Sequence, residues 1–429
     1  MSSISPASSG ATGAADRAAR AATAEAAALL VAPPQPEKSL PWRSSGIDAL
    51  IERIAQLHRS GEPVEAFVGP ALALLERPAD PYEDGRLRLA ADRLRAELVG
   101  EEVTYVVNRN LNTSNHCTLR CGFCAFRRDD GEEGAYRLDR AVLRERAAEA
   151  QSLGATELCL QAALDPEARL NGSAVAFAER LLRDLQEAAP GIHLHAFSPQ
   201  ELEYFSRSDG VPLETVLQRL RRAGLGSVPG TAAEVLSEPV RRMICPEKLS
   251  AADWVAVMRQ VHRLGIASTA TLMAGHIEQP ADRVAHLLTL LALQRRAQAA
   301  GEPGFSEFVL LPFVGASAPE PLRRRVGRDQ PDALAMLRLT AQARLLLGPA
   351  LPHHQPSWVK LTLPVAAEAL RWGCDDLGGT LMEEHITTMA GARGGTSQTA
   401  GALVAAAASV GRPARQRTTL YGQPEPMAA

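Results

Sequence analysis

The 429 residues are 46% hydrophobic and 22% charged, a globular balance with enough apolar content for a sizeable buried core. Lys plus Arg number 46 against 49 Asp plus Glu, and a net charge of -3 gives no field that draws in a polyanion, so nucleic acid is not an expected partner. No run reaches the roughly 20 apolar residues of a membrane span, and Met1 to Ala32 lacks the basic start and Leu-rich centre of a secretory signal; no membrane partner and a cytoplasmic location are expected.

Residues 1–40 are rich in Ala, Ser, Gly and Pro, as in SSISPASSG and VAPPQPEKSLP, a composition expected to stay mostly disordered because it cannot offset its ordering entropy. Residues 41–102 carry helical periodicity in IDALIERIAQLH and LRLAADRLRAELV and are expected to form a helical N-terminal extension. From there strand-like runs alternate with amphipathic helices: TYVVNRN, AVLRERAAEAQSLG, ELCLQAA, AVAFAERLLRDLQEAAPG, HLHAFSP, and onward to SEFVLLPF. Repeated strand then helix predicts a parallel α/β architecture, a full or partial TIM-type (β/α) barrel with its core at 103–350. Residues 351–429 are expected to complete the barrel and the substrate pocket, and the last few residues of the polar tail to be disordered.

Between the first strand and the next helix lies NHCTLRCGFCAF, which spaces Cys117, Cys121 and Cys124 as C-x3-C-x2-C. One loop at these intervals presents three thiolates to three corners of a 4Fe-4S cubane and leaves the fourth iron open. An open iron chelates the amino and carboxylate groups of S-adenosylmethionine (SAM), whose one-electron reduction yields a 5'-deoxyadenosyl radical. The competing reading is zinc, but its sites take four ligands in paired knuckles, and His116 is awkwardly adjacent to Cys117. Cys159, Cys245 and Cys374 stand in apolar or isolated contexts and read as buried spectators.

The loop YVVNRNLNTSNHCTLRCGFCAF resembles the radical SAM branch that holds 5-deazaflavin (FO) synthase and the menaquinone-pathway aminofutalosine synthase and dehypoxanthine futalosine cyclase. The resemblance extends through HLHAFSPQE, VPGTAAEVL, GHIEQP, EFVLLPF, QPSWVKL, DDLGGTLMEEHITTMAG and RPARQRTTLYG, and the late motifs look most like the tyrosine-dependent half of FO synthase. It implies a transferase that cleaves L-tyrosine between Cα and Cβ and adds the 4-hydroxybenzyl fragment to C5 of 5-amino-6-(D-ribitylamino)uracil, releasing 2-iminoacetate. A 4-hydroxybenzyl transferase of this kind works with FO synthase subunit 1, which closes the ring on the route to coenzyme F420, and with an electron donor. An aminofutalosine-type reaction, or a fold that keeps the cluster with impaired SAM chemistry, are the alternatives.

The resemblance also distributes roles. Phe123, Gln161, Ala162, Glu234, Gly275 and Glu278 fall on motifs near SAM, and Gly275 gives backbone close access to adenine. His195, with His193 on the same strand face, is a substrate candidate, as are Ser198 in the loop above with Glu201, and His276. Trp358 and Lys360 alternate in QPSWVKL, and Asp375, Asp376, Gly378, Gly379 and Thr380 form a candidate polar loop for a ribityl chain and a uracil. For each, an ordinary structural role is the alternative: a packed ring, a satisfied strand histidine, a helix-capping turn. One departure stands out: Gln161-Ala162-Ala163 occupies the place of the family's Gln-Gly-Gly, and two methyls are expected to hinder SAM if φ there is positive.

Overall fold

The computed structural model describes residues 24–424. Seven parallel strands follow one another in chain order: β2 (Asn108–Leu111), β3 (Glu157–Leu160), β4 (His193–Ala196), β5 (Leu225–Val228), β6 (Ala267–Ala274), β7 (Phe305–Pro312) and β8 (His354–Pro356). The sheet curls into a half-barrel, the expected α/β class. A second, three-stranded parallel sheet of order β10-β1-β9 joins β1 (Val103–Val106) to β9 (Asp376–Gly379) and β10 (Ala414–Gln416). This small sheet bridges the open side. Asp375 N donates to His354 O beside β8, while Asn110 N of β2 donates to Leu381 O just past β9.

Local signals explain where the helices start and stop. Ser198 and Glu201 form a reciprocal capping box on Pro199–Asp209, with Pro199 at the first turn and Gly210 left-handed at the end, the pattern that satisfies orphan backbone groups. In Ala174–Ala188, Ala178, Leu181, Leu182 and Leu185 are buried, one apolar face at helical spacing. Every residue of β6 is buried, as expected for a parallel strand covered on both faces. Its Thr269, Thr271 and Met273 line an interior cavity, while the alternate Ala270, Leu272 and Ala274 belong to the hydrophobic core, the period-2 rule of a strand.

The expectation of disorder over 1–40 needs correction from residue 24 on. Residues 24–29 are helical and Pro36–Trp42 forms a short 3-10 helix. Ala26 is fully buried, Glu25 pairs with Arg259 and Arg296, and Val31 N donates to Thr289 Oγ1. Composition alone misses this because the segment is ordered by the barrel helices it crosses. Residues 1–23, and the tail from 425, lie outside the described residues.

Candidate active site

The cavity has a volume of about 400 Å³ and is walled by strand residues of alternating parity, with Asn108 and Asn110 from β2, Glu157 and Cys159 from β3, and Glu307 from β7 among them. Cys117, Cys121 and Cys124 all border it, as free thiols. Their loop is pinned on both sides: Gly122 N donates to Ile244 O at 2.7 Å, Thr118 N to Leu164 O at 3.1 Å and Cys124 N to Cys121 O at 3.1 Å. Burial pushes the Cys121 thiol up to about 12 and raises Cys117 as well, so these sulfurs become thiolates when a metal displaces the proton.

Among the described residues no three His, Cys, Asp or Glu converge as a single metal ion requires. A cubane takes one thiolate per iron and needs no common point, so the donor set suits a cluster better than zinc. His116 is no fourth ligand: its Nδ1 faces Asp130 at 3.5 Å and it is not on the cavity wall.

Phe123, Gln161, Ala162, Ala163 and Glu234 line the same cavity as the thiols. Glu234 adopts φ +47, an uncommon conformation for a residue with a side chain and one that recurs at functional sites. It lies ahead of the helix Glu238–Ile244 rather than in its first turn, and its Oε1 is 2.5 Å from Lys248 Nζ. Burial works against the Lys248 charge, yet the Glu234 carboxylate holds its pKa above the ordinary lysine value. Ala162 and Ala163 both have negative φ, so neither alanine is strained; Ala162 N donates to Glu201 Oε1 at 3.2 Å and Ala163 N to Ser114 O at 3.2 Å. The conformational objection to the alanine pair therefore falls away.

His195 and Ser198 reach the cavity. His195 Nδ1 and His193 Nε2 share Ser227 Oγ, at 2.6 and 2.7 Å, and burial lowers His195 to about 4, which makes it neutral at physiological pH. Glu201, between Ser198 and the Ala162 amide, is pushed up to about 7 by burial. Cys159, expected to be a spectator, is instead in the cavity wall, whereas Cys245 and Cys374 are buried in the core.

Several candidates stand elsewhere. Gly275, His276 and Glu278 are not on the wall: Glu278 accepts from Gly275 N, His276 N and Arg283, and the Gly275 carbonyl accepts from Arg328. Gly275 has φ +90, so the glycine answers to backbone conformation. Residues 376–379 form strand β9 rather than a loop; Gly379 lines the cavity, whereas Asp375, Asp376 and Thr380 are not among its lining residues. Asp375 takes hydrogen bonds from Arg344, His353 and His354 N; Asp376 takes them from Thr104 and Arg417; Thr380 Oγ1 bonds the Asn108 backbone. A Cβ on Gly379 would lie 2.1 Å from Asn108 Oδ1, and Gly378 has φ +74, so the glycine pair serves close strand approach. QPSWVKL turns into a helix at Trp358–Leu361; Trp358 is buried and donates to Gly379 O at 3.0 Å, while Lys360 lines the cavity.

Sequence reasoning missed Lys248, Glu307 and Arg417. All three line the cavity, and Arg417 binds Asp376 and, at 3.0 Å, Glu307. Strand parity in SEFVLLPF was the available signal for Glu307, and the RPARQRTTLYG motif that for Arg417; Lys248 carried none.

A cysteine-rimmed half-barrel of this kind defines a radical SAM protein, and the model of the radical SAM superfamily matches residues 111–291. The chain belongs to the 5-amino-6-(D-ribitylamino)uracil--L-tyrosine 4-hydroxyphenyl transferase family: it is 55% identical to the Gloeobacter violaceus protein of that name over 82% of this chain and 90% of that one, and 51% identical to the Synechococcus elongatus protein over 84% and 93%. Among solved structures it is similar to methylornithine synthase (TM-score 0.63, 17% identity, 85% of this chain and 97% of that one) and to the hydrogenase maturase HydG from Carboxydothermus hydrogenoformans (TM-score 0.62, 15% identity, 87% and 81%), which supports the fold. Membership brings a 4Fe-4S cluster and SAM as cofactors.

Proposed function

We propose that the cavity transfers the 4-hydroxybenzyl group of L-tyrosine to C5 of 5-amino-6-(D-ribitylamino)uracil, with Cys117, Cys121 and Cys124 as the cluster ligands. The observation that carries this reading is that the three thiols rim a largely apolar cavity into which a few polar side chains, Asn108, Glu157, His195, Glu307 and Arg417 among them, are set, in a chain half identical to transferases of that name along nearly their whole length. When bound, the cluster and SAM supply reductive cleavage to a 5'-deoxyadenosyl radical, chemistry that no side chain provides.

The chain's own residues then bind and orient. Phe123, Gln161, Ala162 and Glu234 stand beside the thiols, where SAM is held. The uracil and its ribityl chain offer many hydrogen-bonding groups, and Asn108, Glu157, His195, Ser198, Glu307 and Arg417 supply fixed donors and acceptors for them. His195, neutral, both donates and accepts without adding charge. Apolar wall residues such as Val309, Leu311 and Phe313 disfavour water beside the reacting groups, which would protect a radical from side reactions. FO synthase subunit 1 as the next enzyme, a reduced electron donor and a cytoplasmic setting complete the reading; among the described residues no helix is long and apolar enough to cross a membrane.

The test is anaerobic incubation of reconstituted protein with SAM, reductant, L-tyrosine and the diaminouracil. Formation of 5'-deoxyadenosine and the adduct, both dependent on tyrosine, is expected. Deoxyadenosine indifferent to tyrosine, with turnover of a chorismate-derived enol ether instead, would replace this reading by the aminofutalosine reaction.

A further inference from the structure

Four basic side chains stand on the cavity wall: Arg127, Lys248, Lys360 and Arg417. Three are committed. Arg127 pairs with Asp129, Lys248 with Glu234, and Arg417 with Asp376 and Glu307. The Lys360 ammonium has no hydrogen bond or ion pair among the described residues, its backbone N alone donating, to Ser357 O. Glu384 and Glu234 act on it only through space, and Glu384 spends its oxygens on Thr387 N and Thr388 N. Burial pulls the Lys360 pKa below the ordinary lysine value. An uncompensated cation in such a place is costly, and an anionic ligand removes the cost.

Which anion fits follows from the substrates' chemistry, and so the inference rests on the function proposed above. The diaminouracil with its ribityl chain is neutral near pH 7. With the cofactors bound, the carboxylate of SAM would be taken up by the cluster's open iron. The carboxylate of tyrosine is the anionic group that remains. We infer that Lys360 is the seat of the tyrosine carboxylate, a specificity-determining contact that selects an α-amino acid over the corresponding amine. Because the carboxylate stays with the two-carbon fragment when Cα–Cβ breaks, Lys360 anchors the leaving half while the aromatic half is free to move to the uracil.

Binding reads this out without turnover. The reconstituted holoenzyme, with SAM and no reductant, is titrated with L-tyrosine and with tyramine, which lacks only the carboxylate. Wild type should prefer tyrosine by about 100-fold, the scale of a desolvated charge pair. K360M should lose that preference by weakening tyrosine and leaving tyramine within a few-fold, and K360R should keep tyrosine within about 10-fold of wild type by preserving the charge. Equal tyrosine affinity in wild type and K360M, or a loss that falls on SAM or the diaminouracil, overturns the inference. So does a wild type that binds tyramine as well as tyrosine, a comparison that stands even where K360M does not fold. A wild type that binds neither tyrosine nor tyramine overturns the substrate assignment itself.

Discussion

Lys248 Nζ sits 2.5 Å from Glu234 Oε1 and 5.3 Å from the centre of the Phe123 ring, so one buried cation ties the β5–β6 side of the cavity to the cysteine loop. Removing one member of a buried pair leaves the other uncompensated, at about 3 kcal/mol. K248M should therefore lower the thermal midpoint and weaken SAM binding, read as loss of the SAM-induced change in the cluster EPR signal. The double variant E234Q/K248M should regain much of the stability but not the SAM response. A K248M protein with unaltered SAM response removes Lys248 from the cofactor's surroundings.

Replacing Cys121 with Ala takes a thiolate from one iron and should abolish 4Fe-4S assembly, measured as iron and sulfide per chain. Cys374, buried far along the chain and off the cavity wall, is the control: C374A should assemble the cluster normally, with a stability loss of about 1 kcal/mol for the small cavity left behind. Normal cluster content in C121A would refute the ligand assignment.

The alanine pair makes a third case. With negative φ at Ala162 and Ala163, restoring Gly-Gly relieves no strain and enlarges the freedom of the unfolded chain, at about 0.4–1 kcal/mol per site. A162G/A163G should be slightly less stable than wild type and should bind SAM within about 3-fold, corresponding to less than ~1 kcal/mol. A tenfold gain in SAM affinity would mean that the methyls do obstruct the cofactor.

What was legible in the sequence divides along the line between local and long-range causes. The cysteine loop, the capping box at Ser198–Glu201 and the inward parity of His195 depend on neighbours a few residues away, and they could be read from spacing. Strand β9 could not: DDLGG has poor strand composition and becomes a strand because Thr104 and Val106, some 270 residues earlier, offer it an edge. The same holds for the ordered segment from residue 24, which is held by Arg259, Thr289 and Arg296. Lys248 and Arg417 reach the cavity from loops whose paths only the folded chain defines. In the GHIEQP motif the strand-end placement could be read from sequence, but the closed network around Glu278 depends on Arg283 and on the backbone turn at Gly275, which it does not reveal.

Acid should destabilise the protein through buried histidines. Burial lowers His58 to about 4, and its Nε2 bonds Leu345 O at 3.0 Å; His262 and His286 are lowered further, each to about 3. For a folded value below the unfolded one, the unfolded chain takes up the proton first. The stabilisation is thus complete above about pH 6.5 and is lost as pH falls toward 4, at about 1.4 kcal/mol per unit per histidine. Urea midpoints measured from pH 7 to 5 should fall, and H58Q, which has nothing to protonate, should show a shallower slope than wild type. Parallel slopes would exclude His58 from the acid response.

Arg417 offers the sharpest test of how the C-terminal tail supports the site. Its guanidinium binds Asp376 of β9 and Glu307 of β7 and lies 4.1 Å from the centre of the Tyr421 ring, while Tyr421 Oη donates to Glu307 at 2.6 Å. R417M strands two buried carboxylates, but not equally. Burial pushes Glu307 up to about 7, so near neutral pH it escapes the loss of its cation by taking a proton, and it keeps the Tyr421 hydroxyl. Asp376 takes two of the Arg417 hydrogen bonds against one for Glu307, and with Arg417 gone it keeps the Thr104 hydroxyl and the Gly378 amide. The damage, about 3–5 kcal/mol for a broken buried pair, should fall mainly on Asp376. D376N/R417M should then recover more thermal stability than E307Q/R417M, and the deficit of R417M should shrink below pH 7 as Glu307 protonates. If E307Q/R417M recovers more, the charge that Arg417 neutralises is Glu307, and the tail acts on the cavity wall directly rather than through the strand that closes the barrel.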